Sequence, residues 1–197
     1  MKKNLTLITI LVLLSPFVKG QAHAPMTNAL RVGAEYMSLD APDAMSYRFG
    51  GGYGLYLNRL KLQAEVGFLT FQGQDQWING IPFEGQKRQR IMADLTFSFD
   101  FLKNKRHGLF VGLGPSLWYR EDDSFSGATF GSDPTGQIVI VNQQRKQIRQ
   151  FNLGYHFMAE YEYLVSPRII ISGRFGFADL NIAGSSSMAG FGLGYRL

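Results

Sequence analysis

Along most of this chain apolar and polar positions alternate strictly, in eight separate stretches. The clearest is 90–101, where Ile91, Ala93, Leu95, Phe97, Phe99 and Phe101 interleave with Arg90, Met92, Asp94, Thr96, Ser98 and Asp100. A period of two marks a strand, because successive side chains point to opposite faces. The other stretches are 29–39, 47–58, 60–71, 108–120, 148–163, 168–178 and the tail 189–197. In the tail, Ala189, Phe191, Leu193, Tyr195 and Leu197 share one face, and Gly190, Gly192, Gly194 and Arg196 share the other.

The connections alternate too. Those around 58–59, 102–107 and 164–167 are short, whereas 40–46, 72–87, 121–147 and 179–187 are mostly longer. Strands of about 11 residues with tight turns at one end and long loops at the other predict an all-β fold, an eight-stranded antiparallel up-and-down transmembrane β-barrel over 29–197. Such a sheet must close, because an unpaired edge in hydrocarbon leaves amides unsatisfied. The large apolar face is then expected against lipid, and the glycine and charged face around a lumen wide enough only for side chains. Phe99, Phe101, Tyr161, Tyr163 and Tyr195 fall at the turn ends, and Tyr36, Tyr47, Tyr119 and Phe177 at the loop ends, as two interfacial girdles would. The alternative is a soluble lipocalin-like barrel around an apolar ligand, with the same alternation and the faces reversed.

The N-terminus changes the picture of charge. Lys2 and Lys3 precede an apolar run from Leu5 to Leu14, and Gly20, Ala22 and Ala24 follow as small residues. This predicts a secretory signal peptide over 1–20, cleaved after Gly20 or, alternatively, after Ala22, and a short periplasmic segment over 21–28. Losing Lys2, Lys3 and Lys19 lowers the formal charge from +5 to +2, so the basicity is partly targeting and gives no reason to expect a nucleic-acid partner. The absence of cysteine excludes disulfides, thiolate metal sites, cysteine catalysis and an acylated lipoprotein cysteine. Nothing in the sequence calls for a cofactor.

The closing residues GFGLGYRL resemble the last strand of small bacterial outer-membrane barrels of the OmpX/Ail type, which ends Gly-Tyr-Arg-Phe. In those barrels the terminal strand is the signal read by the barrel-assembly machinery. The resemblance implies that Phe191, Leu193, Tyr195 and Leu197 carry that signal, with Leu197 where the family has Phe. It also implies the outer membrane of a Gram-negative cell, both termini in the periplasm, and lipid and lipopolysaccharide as neighbours.

The inward face collects Arg31, Glu35, Arg48, Lys61, Gln63, Glu65, Arg90, Asp94, Asp100, Arg120, Asn152, His156, Glu160, Glu162, Arg174 and Arg196. Charges this deep must be paired or hydrated, since an isolated one costs several kcal/mol or more. The expected role is an ion-pair network plugging the lumen; a proton or narrow ion path is the functional alternative. Lipid A enzymes of small-barrel type offer a further comparison. A PagL-type deacylase needs His-x-Ser with a Glu, but His156 is followed by Phe157 and Met158. A PagP-type acyltransferase needs a His near the outer loops, and His23 and His107 lie elsewhere. The expectation is a non-enzymatic protein with a structural or adhesive role.

The loop ends bring KRQR (87–90), REDD (120–123) and RKQIR (145–149) onto neighbouring strands. Two readings follow: a self-neutralising rim, or Lys87, Arg88, Arg145 and Arg149 holding lipid A phosphates. Within loop 121–147, GQIVIVNQQ (136–144) predicts a hairpin protruding beyond the membrane, whose edge could take a partner strand.

Overall fold

Continuous strands built on this alternation leave each backbone group a neighbour on both sides only if the sheet returns on itself, and it does. The computed structural model describes residues 27–39, 45–78, 81–102, 104–132, 135–136, 138–181 and 184–197. The expected signal peptide lies outside the described residues, as does 21–26 of the expected periplasmic segment. Among the described residues ten strands form: β1 (Thr27–Ser38), β2 (Met45–Leu57), β3 (Leu60–Gln72), β4 (Gln76–Ile78), β5 (Ile81–Phe83), β6 (Lys87–Asp100), β7 (His107–Ser132), β8 (Ile138–Leu164), β9 (Ile169–Asp179) and β10 (Ser185–Arg196). Eight of them close a barrel in the order β1-β2-β3-β6-β7-β8-β9-β10, every pair antiparallel.

The seam joins the first strand to the last, with Leu30 opposite Tyr195, Val32 opposite Leu193 and Ala34 opposite Phe191. β1 starts two residues earlier than expected, because Thr27 and Asn28 still pair with Tyr56 and Leu55 of β2. At the β2–β3 turn Leu57 pairs with Leu60, leaving only Asn58 and Arg59 between them. Asn58 takes φ 57°, a left-handed conformation that asparagine tolerates better than most residues.

The two faces fall as the alternation requires. Phe191, Phe151, Leu153 and Leu113 stand outside with 77, 71, 68 and 65% of their surface exposed, while Arg90, Lys61 and Glu160 are each 1% exposed inside. A soluble lipocalin-like barrel needs the reverse, and its surface could not carry an apolar belt this continuous. That alternative is therefore set aside. Where Gly51, Ala64 and Ala93 replace larger side chains, the outer wall is hollowed into a shallow apolar depression, also lined by Val32, Val66 and Leu117.

Two long connections carry strands, one unexpected and one the expected protruding hairpin. Within 72–87, β4 and β5 form a small hairpin, with Gln76 opposite Phe83 and Ile78 opposite Ile81. Most of 121–147 is strand: β7 and β8 run on together from Glu121 and Arg149 to Ser132 and Ile138, with irregularities at Phe125/Gly127 and Thr129/Phe130. β9 follows β8 only from Leu164 to Tyr155, so among the described residues the far edge of β8 has no ladder partner from Gly154 outward. The chain leaving β9 crosses closely over Gly154, where a Cβ would strike the Asp179 carbonyl.

Candidate functional site

Inward-facing residues fill the lumen in three layers. The middle layer is ionic. Arg31 of β1 pairs with Glu160 and, at 2.6 Å, with Glu162, both on β8; Lys61 of β3 pairs with the same Glu160 and, at 2.8 Å, with Glu162. Arg48 of β2 reaches Glu35 at 2.9 Å and Asp94 at 2.6 Å, and Arg174 of β9 reaches Glu35 at 3.2 Å and Glu65 at 2.6 Å. Gln63 joins the two groups, accepting from Arg31 at 3.2 Å and donating to Glu65 at 2.8 Å. Most of these pairs tie strands that are not neighbours in the sheet, so the network braces the cross-section as well as neutralising it.

Above it, at the loop end, lies an apolar lid of Met37, Leu39, Leu69, Met92, Trp118, Ala178, Leu180 and Met188. The lid is wired to the ions below. Trp118 Nε1 donates to Ser116 Oγ at 2.8 Å, and Ser116 in turn donates to Asp94. Below, at the turn end, Tyr56, Phe110, Ile170 and Ala29 close the lumen, with Tyr56 and Phe110 edge to face at 5.9 Å. Tyr56 Oη donates to Glu162 at 3.0 Å, and Lys61 Nζ sits 4.4 Å over the Phe110 ring.

Not every expected lumen residue belongs to the central network. Asp100 accepts the amides of Leu102 and Leu109, both at 3.0 Å, and so caps the β6–β7 turn instead of meeting a cation. Arg196 lies over the Tyr56 ring at 5.6 Å, because the turn end of the lumen is aromatic. Arg90 and Arg120 meet Asp122 near the loop-end mouth, Arg120 at 3.7 Å. His156 shares a hydrogen bond of 2.8 Å with Thr96, and its Nδ1 is 4.0 Å from Asp94, not beside Glu160. Lys61, Gln63 and Tyr56 are instead integral to the network. Their inward parity was readable, but their partners on distant strands were not.

Outside the loop-end girdle, where the Tyr119 and Phe151 rings meet at a tilt with centroids 4.9 Å apart, the rim cations Lys87, Arg145 and Arg149 are already engaged. Arg149 pairs with Glu121 at 2.6 Å, Arg145 with Asp123 at 2.9 Å and Glu84 at 3.5 Å, and Lys87 with Glu84 at 3.1 Å. Arg88 faces inward, donating to Gln86 at 2.9 Å. The β4–β5 hairpin leans on the extended β7: Phe83 packs against Phe125 and Phe130 at 4.9 and 6.3 Å. Its neighbour Trp77 remains 70% exposed.

Solved structures share this architecture. Ail, the attachment invasion locus protein of Yersinia pestis, superposes with a TM-score of 0.54 at 13% identity, covering 88% of this chain and 100% of Ail. The fold is that of the small outer-membrane barrels. A major outer membrane protein of Thermus thermophilus gives a TM-score of 0.54 at 12% identity, covering 89% of this chain and 100% of its own. Neisserial surface protein A gives 0.53 at 13% identity, covering 90% of this chain and 100% of its own. Neither a family model nor a curated protein matches the sequence. In this barrel Phe191, Leu193, Tyr195 and Leu197 all face outward along β10 and its end, on the seam side that meets β1.

Proposed function

We propose that this is a non-enzymatic barrel of the Gram-negative outer membrane, with periplasmic termini, which meets surface partners through the β7–β8 hairpin. The observation that carries this reading is the edge of β8 from Gln150 outward to Ile138, which stands beyond the girdle of Tyr119 and Phe151 and, among the described residues, pairs with no further strand. An edge of unpaired main-chain groups is a template for an added strand. The filled lumen supports the same reading, since it leaves the extramembrane hairpin as the element able to act on something outside. His156 meets the Thr96 hydroxyl at 2.8 Å, but both are buried in the filled lumen, out of reach of a substrate.

Ail was crystallised with the heparin analogue sucrose octasulfate. Here Lys87, Arg145 and Arg149 each have a carboxylate partner, which favours main-chain recognition over polyanion capture at the loop end. Lipid A phosphates would reach Lys87, Arg88, Arg145 and Arg149 only by displacing Glu84, Asp123, Glu121 and Gln86. Lipopolysaccharide is thus proposed as a packing neighbour of the apolar wall. Phe191, Leu193, Tyr195 and Leu197 are proposed as the segment handled by the barrel-assembly machinery.

The test replaces 126–144 with Asn-Gly, joining the paired residues Phe125 and Arg145 directly. Cells carrying the trimmed barrel should adhere to protein-coated surfaces less than cells carrying the intact one, with equal amounts of folded barrel in both. Equal adherence would remove the hairpin from the function.

A further inference from the structure

Three loop-end cations are held as the cations of the turn end are not, while Lys146 at the loop end stands exposed. At the loop end Lys87, Arg145 and Arg149 are each held by a carboxylate. At the turn end every junction carries a cation: Arg59 between β2 and β3, Lys105 and Arg106 between β6 and β7, Arg168 between β8 and β9, and Arg196 where β10 meets β1. Among the described residues none of Arg59, Lys105, Arg106 and Arg168 has a carboxylate partner, and Asp100, an acid of this rim, accepts two backbone amides. The Nε atoms of Arg59 and Arg196 are buried without a hydrogen-bond partner.

Their height is fixed by aromatic residues. Arg59 lies over the Phe99 ring at 5.4 Å, and Arg168 donates to the Tyr195 hydroxyl at 3.0 Å. Phe99 and Tyr195 belong to the outward girdle, so these cations stand at the level where acyl chains give way to headgroups. Beside Arg196, a cleft of about 150 Å³ opens under the β6–β7 turn, lined also by Asn58, Lys105, Arg106 and His107, and by the carboxylates Asp100 and Glu162, both already bonded within the protein.

We infer that this turn-end ring binds the phosphates of anionic phospholipids in the leaflet facing the turns. The inference rests on the barrel lying in a membrane, as proposed above. Charge complementarity supplies the attraction, and the unpaired state of the ring means no internal carboxylate must be displaced. Placement against the girdle selects a lipid headgroup over a soluble polyanion.

The test places the full barrel in nanodiscs of equal phosphatidylglycerol and phosphatidylcholine and counts the lipids it retains by native mass spectrometry. Phosphatidylglycerol should be enriched about fivefold or more, the factor equivalent to roughly 1 kcal/mol for one such cation at a surface. Enrichment should vanish in R59Q/K105Q/R106Q/R168Q and persist in the loop-end control R145Q/R149Q. A barrel that inserts but shows no enrichment, or keeps it in the fourfold variant, overturns this inference alone. A protein that does not insert overturns the membrane reading with it. Each variant is first checked for the mobility of a folded barrel.

Discussion

Arg48 of β2 reaches Asp94 of β6 at 2.6 Å by passing over Gly67 of the intervening β3. A Cβ at Gly67 would run into the Arg48 guanidinium stem. The glycine on the inner wall is therefore the space through which an ion pair crosses between strands that do not touch. Gly67→Leu is expected to displace Arg48 from Glu35 and Asp94 together and lower stability by about 3 kcal/mol or more. Urea titration of the folded band on unheated gels reads the shift.

The ionic layer is expected to behave as one unit. Lys61→Met leaves Glu160 and Glu162 with only Arg31 among the cations paired to them, and removal of one partner from a buried pair costs about 3–5 kcal/mol. Lys61→Met combined with Glu162→Gln should recover part of that loss, because one carboxylate is then no longer stranded. A double-mutant cycle measures the recovery. Strictly additive losses would mean the residues do not act together.

Trp118 spans much of the loop-end lid, so Trp118→Ala is expected to cost about 3–5 kcal/mol of stability. It should not create conductance, since the layer around Arg31, Arg48, Lys61 and Arg174 still fills the cross-section below. Planar-bilayer recordings of the intact and substituted barrels test this directly. Steady current steps through either would contradict a filled lumen.

The rim pairs should matter far less. Arg149 and Glu121 meet at 2.6 Å but stand in water on the outer face, where solvent and salt screen the attraction. Arg149→Gln is expected to leave the unfolding midpoint unchanged within error, in contrast to Lys61→Met at similar pairing distances. The two midpoints measured side by side separate exposed from buried electrostatics.

Most of the architecture was legible because a membrane barrel imposes one rule on every strand: apolar outward, small or polar inward. That rule gave Ile91, Phe97, Leu193 and their fellows the correct face. It could not give height. Met37, Met92, Trp118 and Met188 had inward parity in the sequence, yet their gathering into a lid depends on how far each strand is staggered against the next. For the same reason Asp100 and Arg196 looked like members of the central network, when they sit at the turn end of it. The β4–β5 hairpin had a local signal, the Asn79-Gly80 dipeptide between Ile78 and Ile81, which favours a two-residue turn. The free edge of β8 had none, because it arises from β9 stopping at Asp179.

The central claim is that β1 closes onto β10 around an interior of ions and glycine, with the apolar face in lipid. The most direct measurement is the gel mobility of the full protein from outer-membrane fractions, boiled against unboiled in detergent. A faster, compact unboiled band that shifts on boiling is expected, since the closed ladder resists detergent until heated. A single unshifted band, with the protein in the soluble periplasmic fraction, would contradict it.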